Sequence, residues 1–301
     1  RDIGVTGVQT CALPISSTFK LFDKGCWGAH PLAQPVIGSR RNLERFTRED
    51  LAAWVQRHFT AERMVIGIAG SIDPGALLHE VEAAFSALPP GPAPALAAPP
   101  WLGGVHSRRL EGSSQSHLVL GFPIADRRAD DPTATMAAAL LGEGMSSPLL
   151  ARLREERGLA YYTACSADVL DGGGQFVVEL STSPEQLEPA LQELSRVLQE
   201  QATRIDPVDL ERARNQVVVR HLRAQEGALR RLEDAALEVF ALGGIRPADE
   251  RLARLAAVDA PALRIQFARM IDAGATLALA GKLPRAASPH ARRAAGTLLR
   301  A

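Results

Sequence analysis

GEGMSSPLLARLREERGLAYYTACSAD, residues 142–168, decides how the rest of the chain is read. A glycine turn leads there into a short charged helix and then a strand. The turn Gly142-Glu143-Gly144 asks for backbone freedom that glycine supplies at low cost. Ser147 is placed as an N-cap with Pro148 at the first helical position. Leu149, Leu150 and Leu153 make an apolar stripe, and Gly158 stands where a helix ends on a left-handed residue. Residues 161–168, small and aromatic, continue as a strand. Arg154 thus sits near the end of the helix, and Tyr161 at the start of the strand it feeds. Composition alone favours a plain reading: an arginine in a surface ion pair and a tyrosine in the core.

The run GMSSPLLARLREERGLAYY resembles the signature of the C-terminal domain of the insulinase/pitrilysin zinc metallopeptidases, which include the mitochondrial processing peptidases. The likeness extends more loosely over residues 17–281, and HPLAQPVIGS, residues 30–39, resembles a loop of the same family. The resemblance implies that Arg154 and Tyr161 face a substrate across a chamber as catalytic contacts. It places Gly144, Met145 and Ser146 in a substrate-binding turn. It also implies an α+β fold of two homologous domains, each an antiparallel sheet covered by helices. Substrates would be peptides or unfolded polypeptides, and the working form a homodimer or a heterodimer with a related subunit. Zinc is the family's cofactor, held by an inverted H-x-x-E-H motif and a further Glu, where it activates water and polarises the scissile carbonyl. Neither H-x-x-E-H nor H-E-x-x-H occurs in this sequence, and its seven histidines form no i,i+4 pair. No metal ligand is therefore expected in this chain, and the motif is expected upstream of Ser17.

Residues 1–16, RDIGVTGVQTCALPIS, resemble the conceptual translation of an indexed sequencing adapter and are set aside as non-native. A poorly formed signal peptide is the alternative, weakened by Thr, Gln and Pro in its apolar run. On this reading the chain is a fragment of a longer protein. The remainder divides into 17–85, the end of a zinc-bearing domain, then a linker over 86–105, and a second domain over 106–301. Six prolines precede Trp101 in the linker, which is stiff and extended. A proline-rich ligand for a recognition domain is the other reading of that stretch.

An internal repeat gives independent grounds for two domains. Residues 259–281, DAPALRIQFARMIDAGATLALAG, echo residues 47–70, TREDLAAWVQRHFTAERMVIGIAG. Leu51 and Leu263 lie 212 positions apart, as do Phe59 and Ile271. Each copy is a capped amphipathic helix followed by an apolar strand ending in Ala-Gly. Leu51, Trp54, Val55, His58 and Phe59 are expected to form the buried side of the first copy, and residues 64–70 a buried strand. The second copy has about 150 residues of its domain before it and the first only about 30, so the first is expected to lack on the order of 120 residues.

Other elements are legible by pattern. They are a helix opened by Asp73-Pro74, a strand over 117–122, an Ala-rich helix over 132–141, and a hairpin turn at Asp171-Gly172. Ser183 and Gln186 read as a capping box before a helix carrying Leu187, Leu191, Leu194 and Leu198. His30 reads as a loop residue, because no ligand lies at metal spacing from it. Ser146 and Ser147 read as cap residues, and Cys165 as a packed strand residue.

With 46% apolar residues, the chain can bury real cores. A formal charge of zero argues against nucleic acid or a membrane surface as the main partner, and no apolar run is long enough to span a bilayer. Two functions fit: an active zinc endopeptidase represented by part of its chain, or a non-catalytic partner subunit that binds peptide and supplies the Arg/Tyr half of a site. An unrelated α+β binding protein is the third possibility. The compartment is not legible.

Overall fold

The computed structural model describes residues 9–92 and 97–299; residues 1–8 of the segment read as non-native, 93–96 of the linker and 300–301 lie outside the described residues. The chain forms two compact units. The larger comprises Arg1–Pro35, Ala98–Val218 and Leu252–Ala301, the smaller Val36–Ala97 and Val219–Arg251.

In chain order, α1 (Gln9–Trp27) is followed by the short α2 (Arg40–Leu43), α3 (Arg48–His58) and α4 (Pro74–Phe85). Strands β1 (Gly104–Arg109) and β2 (Ser116–Ile124) lead to α5 (Thr133–Gly142) and the single turn α6 (Pro148–Leu150). This turn passes into a π-helical segment, Ala151–Glu156. The hairpin of β3 (Tyr162–Leu170) and β4 (Gly173–Thr182) precedes α7 (Leu187–Thr203), α8 (Pro207–Glu226) and α9 (Ala228–Leu242). Then come α10 (Ala248–Ala256), α11 (Ala260–Ala273), β5 (Thr276–Gly281) and α12 (Ala287–Ala295).

The larger unit is α+β, as the sequence led one to expect. Its five-stranded sheet runs β1-β5-β2-β4-β3. The β2·β4, β2·β5 and β3·β4 pairings are antiparallel. The β1·β5 pairing is parallel, a departure from the expected antiparallel sheet. Parallel neighbours need a long crossover, and nearly the whole unit separates these two strands in sequence.

Both faces of the sheet are covered because alternate residues point to opposite sides. On one face, Leu118, Leu120, Phe176, Val178 and Leu180 pack with Leu191 and Leu194 of α7 and Leu263 and Phe267 of α11. On the other face, Val119, Val177 and Ala278 pack under Phe22, Cys26 and Trp27 of α1. Trp101 stacks edge-on against Trp27 at 5.1 Å, and its indole N–H donates to the Gly274 carbonyl at 2.9 Å. Residues 17–35, read from the sequence with the first domain, thus lie with the sheet of the larger unit.

In the smaller unit, Thr47 and Asp50 cap α3 reciprocally. The Asp50 N–H donates to Thr47 Oγ1 at 3.1 Å, and the Thr47 N–H to Asp50 Oδ2 at 3.0 Å. The expected burial of this helix is corrected: Leu51 and Trp54 are 57% and 60% exposed, and Val55 and Phe59 are exposed as well. Residues 64–70 form no strand, and Ile66 and Ile68 are exposed. A strand exists only by pairing, and no strand is present in this unit among its described residues. Gly67 lies close to Leu232 of α9, so one side of the segment does have a packing neighbour.

The start of α7 also differs from expectation. Residues 184–186 form a turn, and the helix begins at Leu187 with no side-chain cap. His30 does serve the loop: its Nδ1 accepts from the Leu32 N–H at 3.3 Å.

Candidate functional site

The stretch read first from the sequence lies in the larger unit and exposes several of its polar side chains. Gly142 is the last residue of α5. Its reason for being glycine is contact rather than turn geometry, since a Cβ there would stand 2.4 Å from that of Cys165. Gly144 does need the freedom expected of it, with φ +88°. Met145 is 65% exposed, and Ser146 is exposed beside it. Ser147 adopts the extended conformation of an N-cap, but its hydroxyl makes no cap bond and is buried without a partner.

From Pro148 the chain makes one α-turn and then widens into the π-helical segment. Leu149 and Leu153 point into the core, as the apolar stripe foretold. Arg154 points outward. Its guanidinium is half exposed and pairs with the neighbouring Glu155 at 3.5 Å. Gly158 turns the chain, and the next residues are tied back to the helix: the Leu159 and Ala160 N–H groups donate to the Leu153 carbonyl at 2.7 and 3.2 Å. The Tyr161 N–H donates to the Ser181 carbonyl at 2.9 Å, and Thr182 Oγ1 donates to the Leu159 carbonyl at 2.6 Å.

Tyr161 is consequently fixed by its backbone while its ring is 61% exposed. The plain reading of a core tyrosine is corrected: β3 begins at Tyr162, and Tyr161 lies just before the sheet. Among the described residues no hydrogen bond joins Arg154 to Tyr161: Arg154 pairs with Glu155, and the Tyr161 ring is exposed.

Sequence reasoning missed what holds the segment. Glu193 of α7 is 1% exposed, and three guanidinium groups satisfy its carboxylate. Arg152 donates to Oε1 at 2.9 Å, Arg196 to Oε2 at 3.1 Å, and Arg157 also to Oε2. Arg152 bonds Glu200 as well, at 3.1 Å, and its pKa is raised, first by the bond to Glu193. Glu193 adjoins the leucine stripe of its helix. A carboxylate at that place, with arginines on a facing segment, was the available signal.

Beside the π-helical segment lies an open cleft of about 540 Å³. Ser146, Arg152 and Glu156 line it together with Glu200, Arg204 and Asp209. Burial pushes the Asp209 carboxyl above its usual range, although Arg212 works against that. Of the residues implied for substrate contact, the structure thus brings Ser146 to this cleft. It sets Arg154 within the π-helical segment and Tyr161 just before β3, both exposed.

The zinc expected of the family finds no holder here: among the described residues, no group of three or more His, Cys, Asp or Glu could hold a metal ion. The described residues do not fit a zinc site. No helix among them is long and apolar enough to cross a membrane.

Comparison with known proteins supplies the remaining facts. The family profile described as "Peptidase M16 inactive domain" matches residues 45–217. A zinc protease of Rickettsia bellii is 26% identical over 272 residues, which are 89% of this chain and 65% of that protein. A zinc protease of Mycobacterium bovis is 32% identical over 193 residues, 62% of this chain and 44% of its own length. The chain therefore spans less than two thirds of these curated relatives. Among solved structures, a peptidase M16 inactive domain from Pseudomonas fluorescens superposes with a TM-score of 0.81 at 20% identity, covering 90% of this chain and 66% of that one. A chain of Complex III2 from Candida albicans superposes with a TM-score of 0.85 at 15% identity, covering 96% and 71%. At such identities the two superpositions show shared fold alone.

Proposed function

This chain belongs to the peptidase M16 family, and from that premise we propose that it forms the substrate-facing, non-metal half of a zinc-dependent endopeptidase acting on peptides or unfolded polypeptides. The observation that carries the reading is the exposed ring of Tyr161, whose backbone is bonded to Leu153 by way of the preceding residues and to Ser181, with Arg154 half exposed beside Glu155 on the adjoining π-helical segment. An arginine fork can hold a peptide carbonyl or carboxylate, and a tyrosine hydroxyl can donate to an oxygen on which charge develops. Gly144, Met145 and Ser146 would line the approach of the same peptide. Zinc would polarise the scissile carbonyl and activate water, and its ligands would come from outside the described residues.

The division of labour between residues 17–85 and 106–301, with 86–105 joining them, is part of this reading. So is a working form in which two homologous halves, in one chain or in two related subunits, enclose the peptide. A second reading keeps peptide binding and assigns no cleavage; the description of the matching family as an inactive domain favours it.

The test is Tyr161→Phe with Arg154→Lys, in a full-length protein carrying the zinc motif. If the pair contacts the transition state, loss of the hydroxyl should lower kcat by about 10²–10³. Melting temperature and zinc content should not change. Arg154→Lys keeps the charge, loses the fork and should weaken peptide binding. Wild-type rates and affinities in both variants would leave the two residues with no role in substrate handling. Intact peptide affinity with no cleavage by the unaltered protein would favour the second reading.

A further inference from the structure

We propose that Glu193 is the positioning residue of this surface: its buried carboxylate clamps both ends of the π-helical segment and so fixes the places of Arg154 and Tyr161. Two of its three arginines, Arg152 and Arg157, bracket Arg154 in sequence. The third, Arg196, lies one turn along Glu193's own helix and cannot restrain the segment.

The segment needs such a restraint. A π-helical turn is rare, and such turns are frequently found at functional sites. Here a three-residue α-turn precedes it, Gly158 follows it, and Ser147 gives no side-chain cap at the start. The apolar contacts of Leu149 and Leu153 hold one side. The guanidinium contacts hold the ends, and Arg152 extends the anchorage to Glu200. A buried carboxylate with several charged partners adds little net stability against an apolar replacement, but it dictates geometry, because displacing any partner leaves charge buried and unsatisfied. The two guanidinium forks thereby convert the rigidity of α7, packed in the core, into a fixed direction for Arg154. The strap of residues 159–161, bonded to the Leu153 carbonyl, carries the same constraint to Tyr161.

The inference rests on the reading of Arg154 and Tyr161 as peptide contacts, so its test has one arm that does not depend on peptide. Hydrogen exchange by mass spectrometry on the full chain should show residues 151–161 exchanging on the order of tenfold faster in Glu193→Gln. Strands β2, β4 and β5 should keep wild-type protection. Glu193→Asp should recover part of the protection, and Arg196→Met should leave the segment unchanged. If Glu193→Gln does not fold, the pair Arg152→Met and Arg157→Met removes the same clamp from the other side and should loosen the same residues. In the second arm, a fluorescein-labelled unstructured peptide should bind Glu193→Gln roughly tenfold more weakly than wild type, as misplaced contacts would require. That loss should not add to the loss caused by Arg154→Ala, since one acts through the other. Unchanged exchange in residues 151–161, loosening spread evenly over the unit, or strictly additive losses would each overturn the proposal. A wild-type chain that binds no peptide would instead overturn the functional reading, with exchange still deciding the role of Glu193.

Discussion

Asp23 shows how a single residue of this chain makes stability depend on pH. It lies on α1 over the sheet, and burial raises its pKa from the ordinary 3.8 to about 6, with a bond from Gln175 opposing the shift and nearby Asp168 adding to it. Since the folded-state value lies above the unfolded one, protonated Asp23 favours the folded chain. That contribution is complete below pH about 3.8 and is lost as pH rises to about 6. Asp23→Asn, neutral throughout, should therefore stabilise the protein at pH 7 by about 1 kcal/mol, the full displacement being discounted because the group is partly exposed. Melting temperature should rise by about 2–4 °C at pH 7 and by less at pH 4. Equal melting temperatures for variant and wild type at pH 7 would mean that the charged carboxylate is as well solvated on α1 as in the unfolded chain. At the same scale, Tyr161 and Arg154 were found by resemblance, whereas Glu193 was not. A lone glutamate beside a leucine stripe reads as solvent-facing until the arginines opposite it are placed in space.

At the level of elements, the internal repeat gives a controlled comparison within one chain. Leu263 of α11 and Leu51 of α3 occupy corresponding positions in the two copies, yet the first is fully buried and the second 57% exposed. The difference lies in the surroundings, because α11 packs against α7, α5 and β2 in a completed core. Leu263→Ala should cost about 2–5 kcal/mol, and Leu51→Ala roughly 0.5 kcal/mol or less. Paired urea melts would measure both, and comparable losses would show that α3 buries Leu51 in solution. The comparison also explains what the sequence could and could not reveal. Periodicity located α5, α7 and the β3–β4 hairpin, and periodicity with caps located α3, α4 and α11, because those signals are local. They could not reveal that residues 64–70 lack a neighbouring strand or that β1 pairs parallel to β5, since pairing is settled by distant parts of the chain. Nor does any local signal announce the π-helical segment. Pro148 and the leucine stripe promise an α-helix, and nothing in the spacing distinguishes the wider turn.

For the molecule as a whole, the sheet of the larger unit has a core on each face, and one of these is closed by α1 from the chain's beginning. Phe22 and Cys26 are fully buried there and Trp27 nearly so, against Val119, Val177 and Ala278. Burial of a large apolar side chain is worth about 1.5–3 kcal/mol, so removing residues 1–35 forfeits on the order of 5 kcal/mol from these side chains. That is a large part of the 5–15 kcal/mol by which a typical domain is stable. The expectation is that residues 98–301 alone melt well below the full chain, bind a hydrophobic dye through the uncovered sheet face, and recover their melting temperature when a peptide spanning residues 15–35 is added. The rescue is the deciding measurement, because nonspecific damage from truncation would not be reversed by that peptide. Trp27→Ala in the added peptide should weaken the rescue, since the ring packs against Trp101 as well as the sheet face. If residues 98–301 melt with the full chain and bind no dye, α1 is dispensable, and the second core contributes nothing that the first does not already supply.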